Sequence, residues 1–176
     1  GGVTLPNRLA IAPMEGADSL PDGSPSELTR RRYLRFAEGG AALLWFEAVA
    51  VVPEGRSSPK QLALNRQTLP AFQKLLEEIR QAGYKKNGYA PYLVMQANHS
   101  GRYAKPNGTS EPIIAYHHPV YEEKRPVDSS RIVTDDYLNT LEERFGEAAF
   151  LCREAGFDAV DIKSCHGYLL AELESA

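Results

Sequence analysis

One stretch limits what this chain can become more than any other. Ala41 to Val51 reads AALLWFEAVAV, apolar nearly throughout and broken only by Glu47. A run this short and this apolar fits a strand buried on both faces, the usual state of a strand in a parallel sheet. Parallel strands need crossover segments, and the rest of the chain supplies them.

Leu9 to Met14, LAIAPM, is a first strand candidate that Pro13 would stop. Ser24-Pro25-Ser26-Glu27 reads as the start of a helix, with Ser24 as N-cap and Pro25 in the first turn. That helix runs to Glu38 and stops at Gly39-Gly40. Phe72, Leu75, Leu76, Ile79 and Ala82 recur at helical spacing, and this second helix is expected to end near Gly83. Tyr92 to Ala97 makes a third strand. The polar segment from Asn98 to Thr134 shows no strong periodicity, and a loop of that size is usually functional or locally structured. Thr134 can cap a helix through Gly156 with Leu138, Leu141, Phe145, Ala149 and Cys152 on one face, and Ala159 to Lys163 is a fourth strand.

The order β-α-β-α-β-α-β gives an α/β fold with parallel strands and crossover helices. It leaves two architectures, a doubly wound open sheet or the N-terminal half of a (β/α)8 barrel. No G-x-G-x-x-G follows the first strand, which weighs against a dinucleotide-binding sheet. Polar residues gather at the C-terminal ends of all four strands, where barrel enzymes carry their chemistry. The half-barrel, with a long loop after the third strand, is favoured. All of residues 1–176 are expected to form one such unit, cut after the fourth strand, since no capped helix is evident after Gly167-Tyr168.

Bulk properties mainly exclude. The net charge of -3 gives no basic footprint for nucleic acid. Apolar runs are too short to span a bilayer, and no charged segment followed by an apolar one opens the chain. Cys152 and Cys165 form no metal pattern and read as reduced thiols of a cytoplasmic protein, Cys165 with some claim to line a site.

At the strand ends, Gln96 closes an otherwise apolar run with an amide that can donate and accept, which suits the edge of a heteroaromatic ring. A core glutamine bonded to backbone explains it as well. His99 fits a ligand or, more simply, the packing of a loop base. Lys163, His166 and Tyr168 cluster within six residues after the fourth strand. There histidine could donate to an oxygen gaining charge, tyrosine could deliver a proton, and lysine could add positive charge. Packing of Tyr168 and Leu169 in a loop is the plainer alternative.

Four elements then fall in order. Leu5-Pro-Asn-Arg-Leu-Ala-Ile-Ala-Pro-Met14, Glu47-Ala48 with Pro53-Glu-Gly-Arg56, Gln96-Ala-Asn-His-Ser-Gly-Arg102, and Ala155-Gly-Phe-Asp158 with His166-Gly-Tyr-Leu169 together resemble the old yellow enzyme family of NAD(P)H:flavin oxidoreductases, including its 2,4-dienoyl-CoA reductase-like members. The resemblance implies FMN at the C-terminal mouth of a barrel. By position, Ala12, Pro13, Met14 and Ala48 would line the flavin, and Gln96 would bond its pyrimidine edge. His166 falls where the family binds a substrate carbonyl and Tyr168 where many members keep a proton donor, while Lys163 replaces a second histidine or asparagine. Glu15 stands where some members have a flavin-tuning cysteine or threonine. The implied activity passes hydride from NADH or NADPH, by way of FMN, to an electron-poor alkene, a small-molecule substrate, in a homo-oligomer with no metal. Two rivals stand beside it. One is an inactive structural half-barrel whose open edges need a missing half or self-association. The other is a metal-dependent lyase using Glu47, His99 and His166.

Overall fold

The computed structural model describes residues 2–176. Four strands lie in the order β1 (Ala10–Ile11), β2 (Leu43–Ala50), β3 (Tyr92–Asn98) and β4 (Ala159–Ile162), and every pairing is parallel. Each new strand joins on the same side as the last. A doubly wound sheet reverses its direction of growth, so this order selects the barrel-type progression over the open sheet. Five helices accompany the strands: α1 (Glu27–Glu38), α2 (Leu69–Asn87), α3 (Pro119–Glu122), α4 (Asp135–Ala155) and α5 (Leu169–Glu174).

Helices α1 and α2 pack on each other, as do α2 and α4. The main core lies between this layer and the sheet. Leu44 and Phe46 of β2 and Leu93, Met95 and Ala97 of β3 meet Tyr33, Phe72, Leu76, Ile79 and Leu151 from the helices. The Phe46 ring stacks on Tyr33 at 3.9 Å between centroids and meets Phe157 edge-on at 4.9 Å. By the alternation of a strand, Val94, Gln96 and Asn98 face away from the helices, toward what would be a barrel interior. No helix among the described residues is long and apolar enough to cross a membrane.

Several boundaries differ from the sequence-based expectation. β1 is two residues rather than Leu9 to Met14, because it has one neighbour and Pro13 cannot extend the ladder. Leu9 and Met14 are exposed. The N-cap of α1 is Ser26, not Ser24. Asp22 captures both the backbone N–H and the hydroxyl of Ser24, whereas Ser26 Oγ accepts from the N–H groups of Leu28 and Thr29. α2 continues past Gly83 to Asn87, with the buried Gly83 letting Pro91 approach, and ends at Gly88. α4 is capped by Thr134 as expected, but its buried face is Leu141, Ala148, Leu151, Cys152 and Ala155, so Leu138 and Ala149 lie at its margin. β4 ends at Ile162, leaving Lys163 in the following turn. A short helix, α5, does follow Tyr168, although no side chain caps it.

The long segment after β3 is locally structured, with 3-10 turns at Gly101–Tyr103 and Ser129–Arg131, the short α3, and a bridge between Ile114 and Ile132.

Candidate active site

The candidate site lies at the C-terminal ends of the strands. Ala48 and Gln96 are register partners on β2 and β3, and Gln96 pairs with Asp161 on β4. Both Ala48 and Gln96 are buried. Gln96 Nε2 donates to Asp161 Oδ2 at 2.8 Å. Its Oε1 is then buried without a partner. One N–H of the amide is thereby engaged, and Oε1 is the buried group left without a partner, on the strand face turned away from the helix layer.

Two residues beyond Asp161, Lys163 is also buried and is held by its backbone N–H to the Ala97 carbonyl at 3.0 Å. Its Nζ sits 4.7 Å from the centroid of the Tyr168 ring, a cation–π contact. His166 is exposed, with φ of 62°, and Gly167 follows with φ of 65°. Tyr168 N–H closes the turn onto the Cys165 carbonyl at 3.2 Å. Positive φ at both central positions is the pattern of a type I′ turn, and it is strained for a histidine. The turn brings the His166 ring to 6.1 Å from Tyr168, edge-on.

Glu15, just past β1, joins this group. Its carboxylate accepts from the Ser57 hydroxyl in the loop after β2. Burial raises its pKa above the ordinary 4.5, nearby Glu47 adds to that, and Lys163 opposes it. Burial also raises the pKa of Tyr168, assisted by the negative charge of Glu15, and so keeps its phenol protonated. Glu15, Lys163, His166 and Tyr168 thus converge. Ala12, Pro13 and Met14 lie on the chain between β1 and Glu15, with Met14 exposed, and no hydrogen bond joins them to the others.

The other candidate ligands serve the framework. Glu47 is fully buried and accepts from Arg32 at 2.7 Å, Gly16 N–H at 2.8 Å and Tyr33 at 3.2 Å. His99 Nδ1 accepts from Gly101 N–H at 3.0 Å, so its Nε2 carries the proton toward Tyr137 Oη at 2.8 Å. Burial pushes His99 down to about 4, and it stays neutral. Glu47 and His99 are therefore committed elsewhere, and no metal-ligand cluster forms among the described residues, which removes the lyase arrangement. A cavity of about 380 Å³ between α4 and the loop after β2 touches none of the converging side chains.

A model of the NADH:flavin oxidoreductase / NADH oxidase family matches residues 1–175. The chain belongs to this family. It is similar to the NADPH dehydrogenase of Bacillus pumilus, 34% identical over 178 residues that cover 99% of this chain and 48% of the relative. The NADPH dehydrogenase of Listeria monocytogenes is 32% identical over 98% of this chain and 48% of its own. Among solved structures, the old yellow enzyme homologue from Zymomonas mobilis aligns with a TM-score of 0.76 at 25% identity, covering 96% of this chain and 47% of that one. The Old Yellow Enzyme from Pichia sp. AKU4542 shares the fold, with a TM-score of 0.79 at 23% identity over 97% of this chain and 45% of that chain. This chain thus spans about half the length of the curated relatives it matches.

For this member of the flavin oxidoreductase family, the structure explains why two distant motifs sit together. Gly101 has φ of +55°, and a Cβ there would lie 2.5 Å from the backbone N of Leu169. Arg102 adds an ion pair from Nε to Glu172 of α5 and one of 2.8 Å from its guanidinium to Glu122. The segment after β3 therefore fixes α5, and α5 fixes the turn carrying Tyr168. Sequence reasoning assigned no role to Asp161, Ser57 or Tyr103, whose ring lies 5.8 Å from Tyr168. Asp161 was the most accessible of these, being two residues before Lys163 on the same strand face.

Proposed function

We propose that the site takes FMN and serves NAD(P)H-dependent reduction of an activated alkene. The observation that carries this reading is the buried, unpartnered Oε1 of Gln96. The pyrimidine edge of a flavin presents an N–H donor between two carbonyls, and a lone buried acceptor is what such a donor needs. Ala48, with only a methyl, leaves room beside it, and Ala12, Pro13 and Met14 offer an apolar wall. When bound, FMN supplies hydride chemistry between the nicotinamide reductant and the alkene.

The chain's own residues then orient and protonate. Lys163 and His166 place donors where a substrate oxygen would gain charge. Tyr168, held protonated by burial and by Glu15, gives its phenolic proton to the α-carbon. The full chain loaded with FMN should oxidise NADPH or NADH when 2-cyclohexenone is added and release cyclohexanone. Bound flavin with no alkene-dependent oxidation would contradict this.

One observation favours a second reading. Val160 and Ile162 of β4 and Phe150 of α4 are exposed, as are Leu9 and Met14 around β1, so both edges of the sheet carry uncovered apolar groups. A structural half-barrel that self-associates through those edges would purify as a colourless oligomer.

A further inference from the structure

The segment after β3 holds a second group of reactive side chains, which the strand-end site does not use. His117 precedes the cap of α3, Glu122 closes that helix, and Ser129 opens the 3-10 turn Ser129–Arg131. His117 Nδ1 lies 2.7 Å from Glu122 Oε2, and His117 Nε2 lies 3.0 Å from Ser129 Oγ. Hydroxyl, imidazole and carboxylate thus form one hydrogen-bonded chain. The Arg102 guanidinium, followed by the His118 N–H, pulls the Glu122 carboxyl down to about 2, so it is ionised and can only accept. The proton of a neutral His117 therefore sits on Nδ1, and Nε2 is left to accept from the Ser129 hydroxyl.

A nucleophile bonded to a base, with the base oriented by a third group, is the arrangement of nucleophilic catalysis. Asp128 caps the turn by accepting from the Ser130 N–H at 2.9 Å, which fixes the backbone at Ser129. Ser129 and His117 are both exposed, so an incoming group can reach them. A cavity of about 250 Å³ begins at the next two residues, Ser130 and Arg131, and is walled by Ile113, Ile132, Val133 and Tyr137. It is smaller than a pocket for a drug-sized ligand and suits an apolar chain of a few carbons. We propose that Ser129, His117 and Glu122 form a separate hydrolytic site that takes esters of short apolar carboxylic acids. The proposal is independent of the flavin reading.

Ser129 and His117 are the catalytic residues, and Glu122 positions the imidazole. Ser129 Oγ bonds to the acyl carbon while its proton passes to His117 Nε2. The ester C–O bond breaks, and the alcohol leaves with that proton. Water then attacks the acyl carbon and gives a proton to the same nitrogen. The bond to Ser129 Oγ breaks, the serine recovers its hydrogen, and the carboxylic acid is released.

The test treats the full chain with 4-nitrophenyl butyrate and, in parallel, with a fluorophosphonate that labels activated serines, and locates the modified peptide by mass spectrometry. Butyryl and phosphonyl groups are expected on Ser129. Ser129→Ala should remove both, and His117→Gln should slow both by about 100-fold or more. Glu122→Gln should slow them as well. Combined with His117→Gln it should lose no more than His117→Gln alone, whereas independent structural damage would add to the loss. An unlabelled parent chain overturns the proposal, whether or not the variants fold. So does label on the exposed thiol of Cys165 in place of Ser129, or labelling of folded His117→Gln at the parent rate.

Discussion

Replacing Gly101 by alanine isolates the contact that joins the two halves of the candidate site. Two costs combine. An alanine held at φ of +55° pays about 1–2 kcal/mol for the left-handed conformation. Its Cβ would also lie 2.5 Å from the backbone N of Leu169 and 2.9 Å from that residue's Cα, where ordinary contact begins at 3.4 Å. Backbone cannot rotate aside as a flexible side chain does, so α5 must retreat by about 0.9 Å (3.4 less 2.5). Overpacking of this kind costs about 1–3 kcal/mol, giving a total of about 2–5 kcal/mol. Gly88 is the internal control, with φ of +80° and nothing within 4 Å of its would-be Cβ. Gly88→Ala should cost only the conformational share, about 1–2 kcal/mol. With a urea slope of about 2 kcal/mol per molar, the midpoint should fall by about 1–2.5 M for Gly101→Ala and about 0.5–1 M for Gly88→Ala. Amide resonances of Tyr168 and Leu169 should move only in the former. Equal losses in the two variants, with Tyr168 undisturbed, would refute the claim that this close approach sets the turn carrying Tyr168.

Two further perturbations probe the framework. Glu47→Gln removes the buried charge opposite Arg32 and should destabilise by about 3–5 kcal/mol in urea titration, and a loss below about 1 kcal/mol would contradict its structural role. His99 has a folded-state pKa depressed to about 4, so its contribution to stability is fully present above about 6.5 and is lost as pH falls through about 4. Its ring nitrogens, followed by NMR, should stay neutral at pH 6, and His99→Gln should flatten the stability slope between about 6.5 and 4.

Much of the fold could be read directly because local pattern and burial agree in its central elements. The apolar run of β2, the strand at Tyr92, and α4 between Thr134 and Gly156 each combine periodicity with clear boundaries. Misjudged boundaries are those where a neighbour decides. β1 is short because it has one partner, α1 starts at Ser26 because Asp22 occupies Ser24, and α2 outlasts Gly83 because that glycine is a point of close packing rather than a stop. The same division holds at the site. Residue order placed Lys163, His166 and Tyr168 close together after the fourth strand, and the family resemblance added Gln96. That Gln96 has one N–H engaged and its oxygen buried without a partner depends on Asp161, 65 residues away, and that Glu15 meets both Ser57 and Lys163 depends on three strand ends coming together. Long-range pairings of this kind leave no local periodic signal.

The central claim, that Gln96 presents its lone acceptor to a flavin, is tested most directly by titrating FMN into the full chain and into Gln96→Leu while following quenching of flavin fluorescence. One FMN should bind per chain, and the variant should bind about tenfold more weakly, the cost of about 1.4 kcal/mol for one hydrogen bond to a buried acceptor. No uptake by the parent chain, or equal uptake by both, would contradict the account.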